Sequence, residues 1–358
     1  MIRNTGIRGL LLLHIAGCWL IAGSSSDSIS TVFEPLPIVS YDTDTGFGYG
    51  AKAFLLNAFG KQESFDLIVF NSTKGERWYR FVFSIPDFEL RQGTVYPFAF
   101  DVIVDYDKFV ARSFFGIGNG SQFDDLEKYT RRDVEIAPAL TRAFSARMIA
   151  QIGYRYKIIS SYNFDPEGRL KDLPPEQNQT GITNHSLFCI FRFDNRNSFI
   201  NPDSGLVLMG ELELTRGTTA YFRTALWYQH YLTLLTDRTV LAYRLGLEAL
   251  SGSDLPLQVL LPIGGNRSLR GYPQDRFLDK IRGLINLEIR FPVWARLGGI
   301  AGVDLGKVWH SAADLDLRNW PVSPVLGLRY YFRTYIVRLD VGYSREATGV
   351  YFNFGHIF

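Results

Sequence analysis

Histidine, cysteine and clustered carboxylates are the residue types that most often carry catalysis or hold metal, and here none of them forms a set. Of five histidines, His14 lies in an N-terminal apolar run, and His185, His230, His310 and His356 each stand alone in the sequence. No Gly-x-Ser-x-Gly elbow, zinc spacing or phosphate loop occurs. Of the two cysteines, Cys189 reads as a small strand residue rather than a nucleophile. The expectation is a protein that is not an enzyme, with no cofactor and no metal. Asp124, Asp125 and Glu127 form a small acidic surface cluster, suited at most to a divalent cation or to lipopolysaccharide bridging. What remains is guanidinium chemistry. Gly264-Gly265-Asn266-Arg267-Ser268-Leu269-Arg270-Gly271-Tyr272 sets Arg270 between a leucine and a glycine-aromatic pair, within a connection of roughly 30 residues, and by spacing alone it reads as an exposed flexible loop with scattered charges.

The elements around that loop are strands. From Ile281 to Phe291 the odd positions are apolar and the even ones include Arg282, Asn286, Glu288 and Arg290, a period of two broken only at Leu284. The same alternation recurs over Tyr335–Tyr343, Leu241–Ala249 and Met148–Ile158. These runs exceed the soluble mode of about 5 to 6 residues and suffice for a tilted membrane crossing. Fifteen such strands lie near 46–57, 62–72, 77–86, 95–109, 128–143, 146–161, 183–194, 203–217, 221–234, 239–250, 281–291, 296–308, 322–332, 335–345 and 347–358. Single-chain barrels have even counts, so Thr31–Asp42 is the expected sixteenth, its Pro35 and Pro37 being tolerable in a first strand. The fold expected is all-β: a transmembrane antiparallel barrel of sixteen strands. The last strand is expected to run to Phe358, whose aromatic ring would serve as a C-terminal barrel signal. No run reaches the 18 to 20 apolar residues of a spanning helix. Aromatic residues at 15% and 33 glycines suit girdles and turns. A net charge of +2 gives no reason to invoke nucleic acid.

Arg3 and Arg8 precede an apolar run from Leu10 to Ala22, too short to span, followed by Gly23-Ser24-Ser25-Ser26. This is the pattern of a signal peptide over residues 1–23, ending at the latest near 30. Ile15-Ala16-Gly17-Cys18 also resembles a lipoprotein box. The barrel domain would occupy residues 31–358. With both termini periplasmic, the turns near Phe332-Arg333-Thr334, Pro292-Val293-Trp294 and Leu235-Thr236-Asp237 are short and periplasmic, and the connections near 110–127, 162–180, 251–280 and 309–321 are long and external.

The Gly264–Tyr272 segment resembles the Arg-Gly-Phe/Tyr loop of the barrel-assembly and two-partner-secretion superfamily, the BamA/TamA-type or bacterial surface antigen family. Four further segments are similar in the same order: Ile285–Pro292, Val303–Trp309 with its Asp-x-Gly, Gly327–Tyr330 and Val337–Gly342. Upstream, Asp194, Arg196, Pro202 and Gly205 resemble the family's periplasmic turn. The likeness is good over about 190–358 and loose before it, through Tyr41–Gly46 and Phe115–Asn119. It implies that Arg270 lies inside the barrel against inner-wall carboxylates, with Glu288 and Asp304 as partners beside Gly306. Gly264 and Gly265 would bend the loop, Gly271 would let it fold back, and Tyr272 would complete the motif. It also implies insertion or translocation of proteins at the outer membrane of a Gram-negative bacterium. The family's preceding POTRA repeats are not found in the sequence. The expected partners are outer-membrane lipid and lipopolysaccharide, unfolded barrel proteins, and a periplasmic protein supplying the POTRA function. A passive solute channel, with a lumen lined by Arg244, Glu248, Arg282, Arg290, Arg329, Arg338 and Asp340, or a purely structural surface barrel, are the alternatives.

Overall fold

The computed structural model describes residues 30–174, 176–234, 239–332 and 335–358. The expected signal peptide and Cys18 lie outside these residues, as do the turn expected at 235–237 and part of the one expected at 332–334. The barrel strands are β1 (Val32–Asp42), β2 (Gly46–Leu56), β3 (Ser64–Ser72), β4 (Glu76–Ile85), β5 (Ala99–Phe114), β6 (Glu127–Ser145), β7 (Met148–Tyr162), β8 (Gly181–Asp194), β9 (Gly205–Gly217), β10 (Tyr221–Thr233) and β11 (Val240–Ser251). A short hairpin, β12 (Leu261–Ile263) with β13 (Phe277–Asp279), interrupts the series. The barrel then continues through β14 (Ile281–Trp294), β15 (Leu297–Trp309), β16 (Val322–Tyr331), β17 (Ile336–Tyr343) and β18 (Thr348–Phe354). Sixteen antiparallel strands close in sequence order, β18 returning to β1.

Period two decides which way each side chain points. In β8, Leu187, Cys189 and Phe191 face outward, while Asn184, Ser186 and Phe188 are buried inside. The same split in every strand leaves an apolar outer band of leucine, valine and aromatic rings, and a lumen of arginine, glutamate and aspartate. That is the inverse of a soluble barrel and the arrangement a bilayer requires. Among the described residues no helix is long and apolar enough to cross a membrane.

The start of β1 and the end of β18 lie at one rim, which carries the short connections 146–147 and 295–296. The opposite rim carries the long connections 115–126, 163–180, 252–280 and 310–321. Residues 163–174, 176–180 and 252–260 pack over that mouth: Leu170, Leu255, Leu257 and Leu260 form a cluster with Phe114 and Tyr129. Leu257 N donates to Gln177 O at 2.8 Å and Gln258 Nε2 to Asn178 Oδ1 at 2.6 Å.

Two local expectations are corrected. Pro292-Val293-Trp294 is not a turn but the end of β14, where a register shift between Pro292 and Trp294 accommodates the proline. The turn follows at Ala295, with φ +47°. Nor does the last strand run to Phe358: β18 stops at Phe354, and Gly355, with φ +73°, turns the chain into the lumen. There Phe358 packs on Tyr231, Val240 and Ala242, with the guanidinium groups of Arg244 and Arg290 each 5.2 Å from its ring centre. A ring offered two cations, and carbonyls offered two N–H donors (Arg244 to Ile357 O at 3.3 Å, Arg290 to Phe358 O at 3.0 Å), is better satisfied inside than on the edge of the sheet.

Leu187, 61% exposed at the middle of β8, tests the outward band. Leu187→Arg should destabilise the barrel in vesicles by about 2–4 kcal/mol, against a much smaller loss for Leu187→Ala. Urea unfolding followed by tryptophan fluorescence reads the difference.

Candidate functional site

The hairpin β12–β13 forms the base of the loop that carries Arg270. Gly264 (φ +133°) and Gly265 (φ +76°) make the bend at its start. Ser268 Oγ clamps the turn, accepting from Gly264 N at 2.9 Å and donating to Gly264 O at 2.8 Å. Leu269 and Tyr272 seat the loop on Ile263, Phe277 and Val308. Gly306 of β15 contributes space, not a contact group, because a β-carbon there would lie 2.8 Å from Ile263.

Arg270 is completely buried. Its Nε and Nη2 donate to the two oxygens of Asp304 at 2.8 and 2.9 Å, a paired geometry that fits guanidinium to carboxylate. Its Nη1 donates to Glu288 Oε1 at 2.8 Å and to Asp340 Oδ2 at 3.0 Å. Its own backbone N–H reaches Asp304 Oδ2 at 3.1 Å. One loop arginine thus joins carboxylates from β14, β15 and β17. Arg290 donates to Glu288 at 3.0 Å and Arg338 to Asp340 at 3.3 Å, while Arg329 pairs with Asp340 and lies 3.6 Å from Glu288. Asn286 donates to Asp304 at 2.6 Å and receives Arg244 at 2.7 Å, extending the network along the wall.

The loop also meets backbone on the far side. Gly271 (φ +96°) and Gly342 lie against each other: a β-carbon at Gly271 would fall 2.7 Å from Gly342 C, and one at Gly342 would fall 2.5 Å from Arg270 C. Gly271 N donates to Tyr351 Oη at 3.1 Å, Ser344 Oγ donates to Gly271 O at 2.9 Å, and Ser323 Oγ donates to Arg270 O. The loop is therefore fixed to β14, β15, β16, β17 and β18 together. Between it and the opposite wall lies a cavity of about 540 Å³, lined by Glu135, Arg155, Glu213, Arg223 and the tail residues Ile357 and Phe358.

At its tip the loop reaches the β1–β2 turn. Asn266 accepts from Arg338 at 2.6 Å, and Gly265 lies near Asp44. Burial, then the Asp42 carboxylate, push the Asp44 carboxyl up to about 7, against the lowering effect of the Gln274 backbone N–H.

The structure brings Gly264, Gly265, Arg270, Gly271, Tyr272, Glu288, Asp304 and Gly306 into one place. The turn residues Asp194, Arg196, Pro202 and Gly205 form a separate unit at the rim of the termini, where Arg196 Nη2 donates to Asp194 Oδ2 at 2.8 Å and Gly205 adopts φ +95°. Ser323 and Tyr351 are site residues that no local motif marks, and Asp340 and Gly342 lie in the family-like segment Val337–Gly342, which does not single them out. Asp340 was legible as an inward-facing charge in one of the family-like strands, not as a partner of Arg270.

A profile of the Omp85 superfamily domain matches residues 57–358. No curated protein is matched. Among solved structures, BamA from Haemophilus ducreyi lacking POTRA domains 1–3 superposes with a TM-score of 0.69 at 14% identity, over 91% of this chain and 70% of that one. CdiB from Escherichia coli gives 0.61 at 13% identity over 88% and 61%, and CdiB from Acinetobacter baumannii 0.56 at 13% over 91% and 65%. At such identities the shared property is the fold, and the chain spans less than two thirds of either CdiB.

Arg270→Ala leaves Asp304 without a paired cation among the described residues and weakens the pairing of Glu288 and Asp340, and should cost about 3–5 kcal/mol, read as a lower temperature for loss of the compact band on unheated gels. Arg270→Lys should recover only part of this, since an ammonium lacks the paired geometry. For Asp44, the folded state keeps a proton that the unfolded state releases, so its contribution is present below about pH 4 and lost as pH rises to about 7. Asp44→Asn should flatten that part of the stability profile measured by denaturant titration from pH 4 to 8.

Proposed function

The chain belongs to the Omp85 superfamily, and from that premise we propose that this outer-membrane β-barrel assists insertion or translocation of proteins by opening the seam between β1 and β18. The seam carries this reading. β1 pairs with β2 along its whole length, from Val32 to Asp42, but with β18 only at Tyr41↔Phe352 and Asp42↔Tyr351. Thr43 adds three bonds, its N–H and its Oγ1 each donating to Val350 O at 3.2 Å and its Oγ1 accepting from Val350 N at 2.8 Å. Below that rim, β18 ends at Phe354 and the chain turns inward at Gly355, so that, among the described residues, positions 32–38 of β1 have no strand beside them on that edge.

Backbone direction sharpens the point. Alternate residues of an antiparallel strand direct their N–H and C=O groups to opposite neighbours. Thr43 points to β18, so the odd residues Val39, Pro37, Pro35 and Phe33 direct their backbones to the same open edge. The two prolines remove two of these four donors, which leaves an edge with more acceptors than donors, unable to zip fully onto a regular strand. Unsatisfied backbone in lipid is costly, so the seam is the place where separation costs least and where an incoming strand could pair.

The long-connection rim is assigned to the cell exterior and both termini to the periplasm, where a separate protein would deliver unfolded barrel proteins. The function needs no chemistry from the chain and no cofactor. The passive-channel alternative is disfavoured by the fixed loop and by the packed mouth.

Liposomes holding this protein should speed the folding of an added, urea-unfolded barrel protein relative to liposomes holding an inert barrel. In a Cys189→Ser background, Tyr41→Cys with Phe352→Cys should cross-link the seam at a register pair, abolish the acceleration, and restore it on reduction. Equal rates in all three liposome samples would defeat the proposal.

A further inference from the structure

The outer face of β4, β5 and β6 carries a second site. Arg77 of β4 stands opposite Lys108 of β5, and Lys108 stands opposite Arg132 of β6, so three cations occupy one register row on adjacent strands. Neighbouring strands lie about 4.8 Å apart, which confines the row to roughly 10 Å. Alternation places all three on the outside: Trp78, Asp107, Arg131 and Asp133, their chain neighbours, turn into the lumen and line its cavity. Among the described residues none of the three cations forms an ion pair with a carboxylate. Every outward position of β3 to β7 is free of aspartate and glutamate. Like charges directly opposite in a sheet are unfavourable, and the inner wall of the same strands matches its cations to acids throughout, as in Arg80–Asp105 and Arg131–Asp133. An uncompensated row on the outside therefore points to a polyanion supplied from elsewhere.

Its place names the anion. One step toward the barrel's waist lie Tyr79 and Tyr106, in register with stacked rings 5.5 Å apart, and beyond them Phe81, Val104 and Ile136. The order from rim to waist is cation, tyrosine, aliphatic chain, the sequence of a lipid headgroup phosphate, its glycosidic or glycerol region, and its acyl chains. The side chains are also posed: Lys108 Nζ sits 5.8 Å from the Tyr162 ring centre, and Arg132 Nη2 donates to Ser160 Oγ at 3.1 Å, which keeps both heads at the strand surface. The row lies toward the long-connection rim. We propose that Arg77, Lys108 and Arg132 bind the phosphates of a bisphosphorylated glycolipid of the outer leaflet, the lipid A class, with its acyl chains on the Phe81–Ile136 surface.

This assignment rests on the exterior placement of the long-connection rim made above, and the test separates the two. Detergent-solubilised protein is incubated with bisphosphorylated lipid A, with its monophosphorylated form, or with phosphatidylglycerol, and bound lipid is counted by native mass spectrometry. Bisphosphorylated lipid A should be retained best, and Arg77→Gln/Lys108→Gln/Arg132→Gln should reduce it about tenfold or more. Arg77→Lys/Arg132→Lys, which keeps the charge, should retain most of it. An unchanged compact band on unheated gels verifies that the triple variant folds. Equal retention by the triple variant would overturn the site. Preferential, row-dependent retention of phosphatidylglycerol would overturn the glycolipid. Labelling of Ser160→Cys in a Cys189→Ser background of intact cells by a membrane-impermeant maleimide tests the orientation independently.

Discussion

A guanidinium with no exposure to water has to be answered on every side, and Arg270 imposes that demand on most of one barrel wall. Its donors face Asp304, Glu288 and Asp340, which sit on β15, β14 and β17. Arg290, Arg329 and Arg338 also answer Glu288 and Asp340, but only Arg270 reaches all three acids, and a guanidinium buried this fully needs them around it. The three inner-wall strands and the loop therefore hold one another's geometry. Gly271 and Gly342 are required by the same contact, since the loop backbone must come close enough for a short reach from Arg270 to both β15 and β17. Paired charges in a partly dry space give a definite arrangement more than they give stability, and a definite position for the loop is what the barrel gains.

The same network explains where the barrel is weak. Strands β14 to β18 are tied through the loop, and β6 to β11 through Arg155 and Arg223 with Glu135, Glu211, Glu213 and Glu248. β1 stands apart from both groups: at its upper end Asp42 meets Asn266, and along the rest of its seam edge it lacks even backbone partners. The tail is part of the reason. Phe358 is held by Arg244 and Arg290 in the lumen, so the residues that would have extended β18 along β1 are drawn away from the wall. Strength on one side and an open edge on the other come from one distribution of arginines.

Much of this was legible in the sequence because a two-residue period is a direct imprint of a wall with oil on one face and charge on the other. Sixteen strands follow from that period, even β1 with its prolines, and the Omp85 likeness was carried by residues that cluster in space: Arg270, Gly271, Glu288 and Asp304. What was misread has physical reasons. Pro292 signals a break, yet a bulge at the end of β14 absorbs it. Phe354 and Phe358 have the same alternating pattern, and only Gly355 between them, through its positive φ, separates a strand residue from a lumen residue. Asp340 reads as one more lumen charge, because nothing local records that β17 stands two strands from β15, within reach of the same arginine.

Charge on the two faces of β4 to β6 obeys opposite rules, and the contrast is informative. Inside, Asp105, Asp133 and Glu135 answer Arg80, Arg131 and Arg155 within a few ångströms. Outside, Arg77, Lys108 and Arg132 are set in a row with no acid on their face. A strand that alternates faces can place an aspartate inside as easily as outside, so the composition of the chain does not force this. The inner wall encloses a space that receives no counterion from the bilayer and must be balanced by the chain itself. The outer rim meets a leaflet that carries its own phosphates, and cations there are balanced by the membrane. On that view the missing carboxylates are a feature of the solvent, not of the fold.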